Sequence, residues 1–185
     1  MLMLPARASA EWQLKPLFGG VFGGKTTFVD LDHAAGDTHM AIGGDGLFLG
    51  EMFGVEADIG RTPSFFRSGE RHLVLAGSVT TVTGNFVVAL PRKIAQYSLR
   101  PYLVGGGGVV RARIQDSIDV LPLSRVLGAV DVGAGATGFL SDRFGVDWQL
   151  RYFRSVGGAD EQRGVSFGAE QLSFWRATMA LAYRY

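Results

Sequence analysis

Residues 19–27 read GGVFGGKTT, and Gly19, Gly24, Lys25 and Thr26 satisfy the spacing G-x-x-x-x-G-K-[ST] of a phosphate-cradling loop. The apolar run VLGAVD closes on Asp131, as a magnesium-holding strand would. A phosphate loop works only if a helix N-terminus comes directly after it, because the helix's free N–H groups hold the anion. After Lys25 comes TTFVDLDHAAGD, which is β-branched, acidic and broken by Gly36, with no helical stripe. Gly133, Gly135 and Gly138 in GAGATG match a dinucleotide fingerprint and fail in the same way, since FLSDRF and an alternating segment come next. Asp30, Asp32 and Asp37 with His33 and His39 lack the ligand spacing of a calcium-binding hand and read as a solvated loop. His72 stands at a loop edge with no partner in the sequence pattern, and no serine sits in a nucleophile elbow. No catalytic, cofactor-binding or metal-binding residue is therefore assigned. The cluster Arg61, Arg67, Arg71 and His72 has two readings: contacts to lipopolysaccharide phosphates, or a loop kept soluble by charge.

The totals narrow the class. The chain has 185 residues, a net charge of +1 and no cysteine, which excludes disulfides and thiolate chemistry and gives no ground for a nucleic-acid partner. No apolar run is long enough for a transmembrane helix. The 27 glycines are about double the usual ~7% and lie inside apolar segments rather than in a linker. The sequence divides into residues 1–10, read as the remnant of an export signal or a disordered N-terminus, and a single domain over 11–185. Ala8-Ser9-Ala10 before Glu11 has the small-x-small form of a signal-peptidase site, though the apolar stretch ahead of it is short.

The elements that must position any site alternate with a period of two, so they are strands. Phe144, Val146, Trp148, Leu150 and Tyr152 alternate with Gly145, Asp147, Gln149 and Arg151. Trp175, Ala177, Met179, Leu181, Tyr183 and Tyr185 alternate with Arg176, Thr178 and Arg184; Phe53, Val55, Ala57 and Ile59 alternate with Gly54, Glu56, Asp58 and Gly60. Fainter segments at 12–23, 40–49, 74–90, 99–111 and 126–140 make eight. Connections at 50–52, 91–98 and 141–143 are short or moderate. Those at 25–39, 62–72, 112–124 and 154–171 are long and polar. Short and long connections alternate, as in an up-and-down meander with all the long loops at one end.

Face chemistry chooses between a soluble and a membrane barrel. An eight-stranded interior has room for close-packed side chains or one small ligand. The arrangement that explains more sends the large apolar residues outward: Trp12, Phe18, Phe53, Phe144, Trp148, Tyr152 and Trp175 face lipid. Glycines and charges then line the interior. Lys15, Arg111, Arg151, Arg176 and Arg184 stand against Asp45, Glu56, Asp58, Asp131 and Asp147, equal in number, which predicts a cross-lumen ion-pair network. Most segments reach the ~9–11 residues that a tilted spanning strand needs.

With LKPLFGGVFGG, FGVEADIGRTPSFF, LRPYLVGGGGVVR, FGVDWQLRYFRS and the terminal MALAYRY in this order, the chain resembles the small bacterial outer-membrane β-barrels of the OmpA/OmpX type. The resemblance implies an all-β, eight-stranded antiparallel transmembrane barrel in the outer membrane. It also implies a C-terminal assembly signal at Leu181, Tyr183 and Tyr185, read by the outer-membrane assembly machinery. Outer-membrane lipid and lipopolysaccharide are the expected surroundings. The expected role is structural or surface-interacting and non-enzymatic, through the long loops, for which no residue pattern specifies a partner. Three other readings stay open: a narrow porin-like channel, a barrel enzyme acting on outer-membrane lipid, and a soluble lipocalin-like barrel.

Overall fold

A computed structural model of the chain describes residues 10–26, 38–63, 65, 74–91, 99–116, 123–156 and 172–185. Eight strands run in chain order: β1 (Glu11–Thr26), β2 (His39–Leu49), β3 (Phe53–Pro63), β4 (Val74–Ala89), β5 (Leu99–Asp116), β6 (Leu123–Phe139), β7 (Phe144–Val156) and β8 (Leu172–Arg184). Each pairs antiparallel with the next, and β1 pairs with β8, so the sheet closes on itself. Closure leaves no edge and lets strand pair with strand all round, which is the condition for a backbone to cross hydrocarbon.

Period-two alternation turns this sheet into a wall with two chemistries. Along β3 the outward residues Phe53, Val55 and Ile59 are exposed, while Glu56 and Asp58 are buried inside. The decisive pairs agree: Trp148 is 49% and Phe53 64% exposed, against 1% for Asp147 and 4% for Glu56. A soluble lipocalin-like barrel would have the reverse, so that reading is overturned. The belt of exposed rings and aliphatic chains faces a bilayer.

The GGVFGGKT stretch lies within β1, which runs unbroken to Thr26. Gly23 takes a left-handed φ of 62°, and the register against β8 shifts between Phe22 and Lys25. The second glycine pair thus makes a bulge, where an extra residue bends the strand and only glycine is at ease with positive φ. The GAGATG glycines lie in β6 in the same way.

Strand lengths differ. β2 and β3 have 11 residues, enough to span, whereas β5 and β6 have 18 and 17 and extend beyond what a crossing requires.

Candidate functional site: a filled lumen

The interior is layered along the barrel axis. Its middle layer is ionic. Lys15 Nζ donates to Asp147 Oδ1 at 2.8 Å, from β1 and β7, which closure places on the two sides of β8. Asp147 also accepts from Tyr102 Oη at 2.8 Å and Thr137 Oγ1 at 2.5 Å, and Gln149 Nε2 donates to Tyr102 Oη at 3.0 Å. Arg151 crosses the lumen to Glu56 and holds Asp131 at 3.3 Å. Arg176 holds Asp58 at 2.5 Å, and its guanidinium lies 4.8 Å from the Phe153 ring centre. Asn85 Nδ2 donates to Glu56 at 3.1 Å. These side chains are almost wholly buried. Charges so enclosed persist only when paired and hydrogen-bonded.

Room for the arginines comes from glycine. A Cβ on Gly60 would collide with Arg176 Nη1 and lie 2.8 Å from Thr81 Oγ1. Glycine therefore lets the guanidinium lie against the wall and reach Asp58.

Of the ten residues expected in the network, eight meet in this middle layer: Lys15, Asp45, Glu56, Asp58, Asp131, Asp147, Arg151 and Arg176. Arg111 does not. Its side chain is exposed on the outer wall, paired in register with Thr80 and Val126. In VVRAR the inward residues are Val110 and Ala112, so the strand's phase there is the opposite of the expected one. Arg184 faces inward but lies at the short-turn mouth, where it pairs with Glu11 at 3.3 Å and donates to the Asp142 carbonyl at 2.8 Å. The expected equality of charge fails accordingly: among the described residues of the middle layer, three cations face five carboxylates. Asp45 stands directly opposite Asp58, and Asp45 Oδ1 has no hydrogen-bond partner.

Two features carry no clear signal in the sequence. The first is a clamp at the short-turn mouth. Arg100 is buried, donates to the carbonyls of Leu90 at 3.0 Å and Gly50 at 3.2 Å, and pairs with Glu11 at 3.4 Å. It ties two turns to the start of β1. The adjacency of Arg100 to the β4–β5 turn was its only sequence signal. The second is a pair of apolar layers inside the barrel. Toward the long-loop end, Phe153 stacks on Phe174 with ring centres 5.0 Å apart, and Phe65 meets Phe174 edge-on at 5.5 Å. Val21, Val79, Val110 and Leu172 complete this layer. Toward the turns, Leu47, Leu49, Val87 and Val104 form the other. Inward residues are thus not uniformly polar: apolar layers flank the ions on both sides.

The aromatic residues expected on the outside lie there. Trp12, Phe18, Phe53, Phe144, Trp148 and Trp175 are exposed, and Tyr152 is half-buried against Trp175 at 5.0 Å. At the C-terminus, Leu181 and Tyr185 are exposed, and Tyr183 packs on Phe144 at 5.2 Å. His39 is buried in the long-loop end of the lumen, 5.9 Å from Phe65, not in a loop. The other loop residues weighed from sequence (Asp30, Asp32, His33, Asp37, Arg67, Arg71 and His72) lie outside the described residues, as do residues 1–9 of the expected signal remnant. No group of three or more metal-ligating side chains occurs among the described residues.

No protein-family model and no curated protein matches the sequence. Solved structures do match in fold. The Neisserial surface protein NspA superposes with a TM-score of 0.69 at 9% identity, over 97% of this chain and all of that one. OprG of Pseudomonas aeruginosa gives 0.64 at 11% identity over 99% of each chain. Ail of Yersinia pestis, solved with the heparin analogue sucrose octasulfate, gives 0.55 at 18% over 96% of this chain and 99% of its own. Identities this low speak to architecture alone. With its outward apolar belt and filled ionic lumen, the chain is an eight-stranded transmembrane β-barrel with the fold of the small bacterial outer-membrane barrels.

Proposed function

We propose that this chain is a non-conducting surface barrel of the outer membrane, with a structural or surface-interaction role carried by its four long connections. The observation that carries the reading is the packed lumen. Arg151, bonded to Glu56 and Asp131, occupies the middle of the cross-section, and the Phe65–Phe153–Phe174 cluster covers the layer above it. An ion entering would have to displace a paired guanidinium and cross an apolar layer, and both steps are costly.

The reading is non-enzymatic. The buried carboxylates Glu56, Asp58, Asp131 and Asp147 are each paired with arginine or lysine, and among the described residues no histidine stands beside the Thr137 and Tyr102 hydroxyls that Asp147 also accepts from. The outward C-terminal residues Leu181, Tyr183 and Tyr185 serve as the signal for the assembly machinery.

Planar-bilayer recording tests the central point. Purified, folded protein is expected to give no discrete conductance steps in molar potassium chloride. Reproducible steps that vanish on boiling the sample would establish the channel reading instead. Incubation with outer-membrane lipid, analysed by mass spectrometry, should return the lipid unmodified; a new lipid species lost on mutating His39 would establish an enzyme.

A further inference from the structure

The outer wall changes character once, near its long-loop end. Up β3 the outward residues run Phe53, Val55, Ala57, Ile59 and then Arg61; up β5 they reach Val109 and then Arg111 and Arg113. Register joins them. Arg61, Thr80 and Arg111 occupy one row across three adjacent strands, and Ser78 and Arg113 pair in the next. With strands about 4.8 Å apart, the two arginines of that row flank Thr80 at roughly 10 Å from each other.

All three guanidiniums are exposed, and none has a hydrogen bond or ion pair among the described residues. Directly below them lies the row Ile59–Val82–Val109, and below that the small row Ala57–Gly84–Gly107. A Cβ on Gly84 would meet nothing within 4 Å, so this row is a shallow trough in the wall. A groove of about 610 Å³ opens beside the arginines, with Ile42 and Ile59 on its apolar side.

Unpaired arginines beside hydrocarbon call for an anion held at that height. A guanidinium matches phosphate oxygens with two parallel N–H donors, and the hydroxyls of Thr80 and Ser78 add donors between the forks. The apolar row and trough beneath suit an acyl chain hanging from the same molecule. We propose that Arg61, Arg111 and Arg113, with Thr80 and Ser78, form an outer-wall site for the phosphate of a membrane lipid whose acyl chain runs down over Ile59, Val82 and the Gly84 trough. The site lies outside the barrel and does not depend on whether the lumen conducts.

The test uses the full chain folded in non-ionic detergent and native mass spectrometry. Its probes are bisphosphorylated lipid A and the same lipid with its phosphates removed. The wild type is expected to retain the phosphorylated form by about tenfold over the other. The combined Arg61→Gln, Arg111→Gln, Arg113→Gln variant should lose that preference while keeping its heat-modifiable gel mobility. The single Arg111→Gln, which removes one fork, should reduce the preference severalfold and serves if the triple variant does not fold. Gly84→Phe, which fills the trough, should weaken both lipids and leave the preference intact. Equal retention of the two lipids by the wild type, or an undiminished preference in the glutamine variants, overturns the proposal. So does displacement of lipid by equimolar inorganic phosphate, which would mark a free-anion site, and so does unchanged lipid binding in Gly84→Phe.

Discussion

Arg151 and Arg111 are the same residue type on strands of one wall, and the wall separates them. Arg151 is 0% exposed and bridges Glu56 and Asp131 across the lumen. Arg111 stands outside with no partner among the described residues. The difference is strand phase alone: a one-residue change of parity moves a side chain from a dry, ion-paired interior to a lipid-facing rim. A guanidinium inside is held by its carboxylates and becomes part of the fold. A guanidinium outside is held by nothing in the described chain and is free for a ligand.

That contrast can be broken from the inside first. Arg151→Leu leaves Glu56 and Asp131 buried without their cation and should cost about 3–5 kcal/mol, read as a lower urea midpoint for the folded band on gels. Phe174→Ala removes the ring that stacks on Phe153 and meets Phe65. It should cost about 3 kcal/mol, nearer the low end for buried aromatics because the cavity lies close to the barrel mouth. If the apolar layer is also the seal, the same variant should show flickering conductance that the wild type lacks.

Two milder substitutions sharpen the comparison. Asp45→Asn removes a carboxylate directly opposite Asp58 in a layer already rich in acid. Like charges facing across strands destabilise, so this change should leave the urea midpoint unaltered or raise it, by up to about 1 kcal/mol. A loss as large as that of Arg151→Leu would mean that Asp45 holds a cation. The smallest effect belongs to Arg111→Gln, which should shift stability by no more than about 0.5 kcal/mol, because nothing in the described fold leans on it. A large loss there would refute the assignment of Arg111 to the outer wall.

How much was legible depended on the strand. In β3, in 144–152 of β7 and in 175–185 at the end of the chain, large apolar residues alternate with charged or small ones, and both phase and facing can be read from the sequence. In β5 they cannot. LVGGGGVVRAR puts four glycines ahead of two valines, and glycine has no side chain with which to mark a face. The charge on Arg111 then suggested the interior, where its neighbours Val110 and Ala112 lie instead. The apolar layers were hidden for a related reason. Phe153 and Phe174 continue an apolar run on the supposedly polar face, and alternation measures the difference between faces, not the content of one.

The sequence by itself determined the wall: eight strands, their alternating short and long connections, and an apolar exterior around a charged interior, because period-two patterning is local and survives without knowledge of neighbours. Only the tertiary structure decided who pairs with whom. Lys15 and Asp147 meet across 132 residues because β1, β8 and β7 are brought side by side by closure. The inward turn of Arg151 and the outward turn of Arg111 are likewise fixed by hydrogen-bond register with the flanking strands, which no single segment encodes.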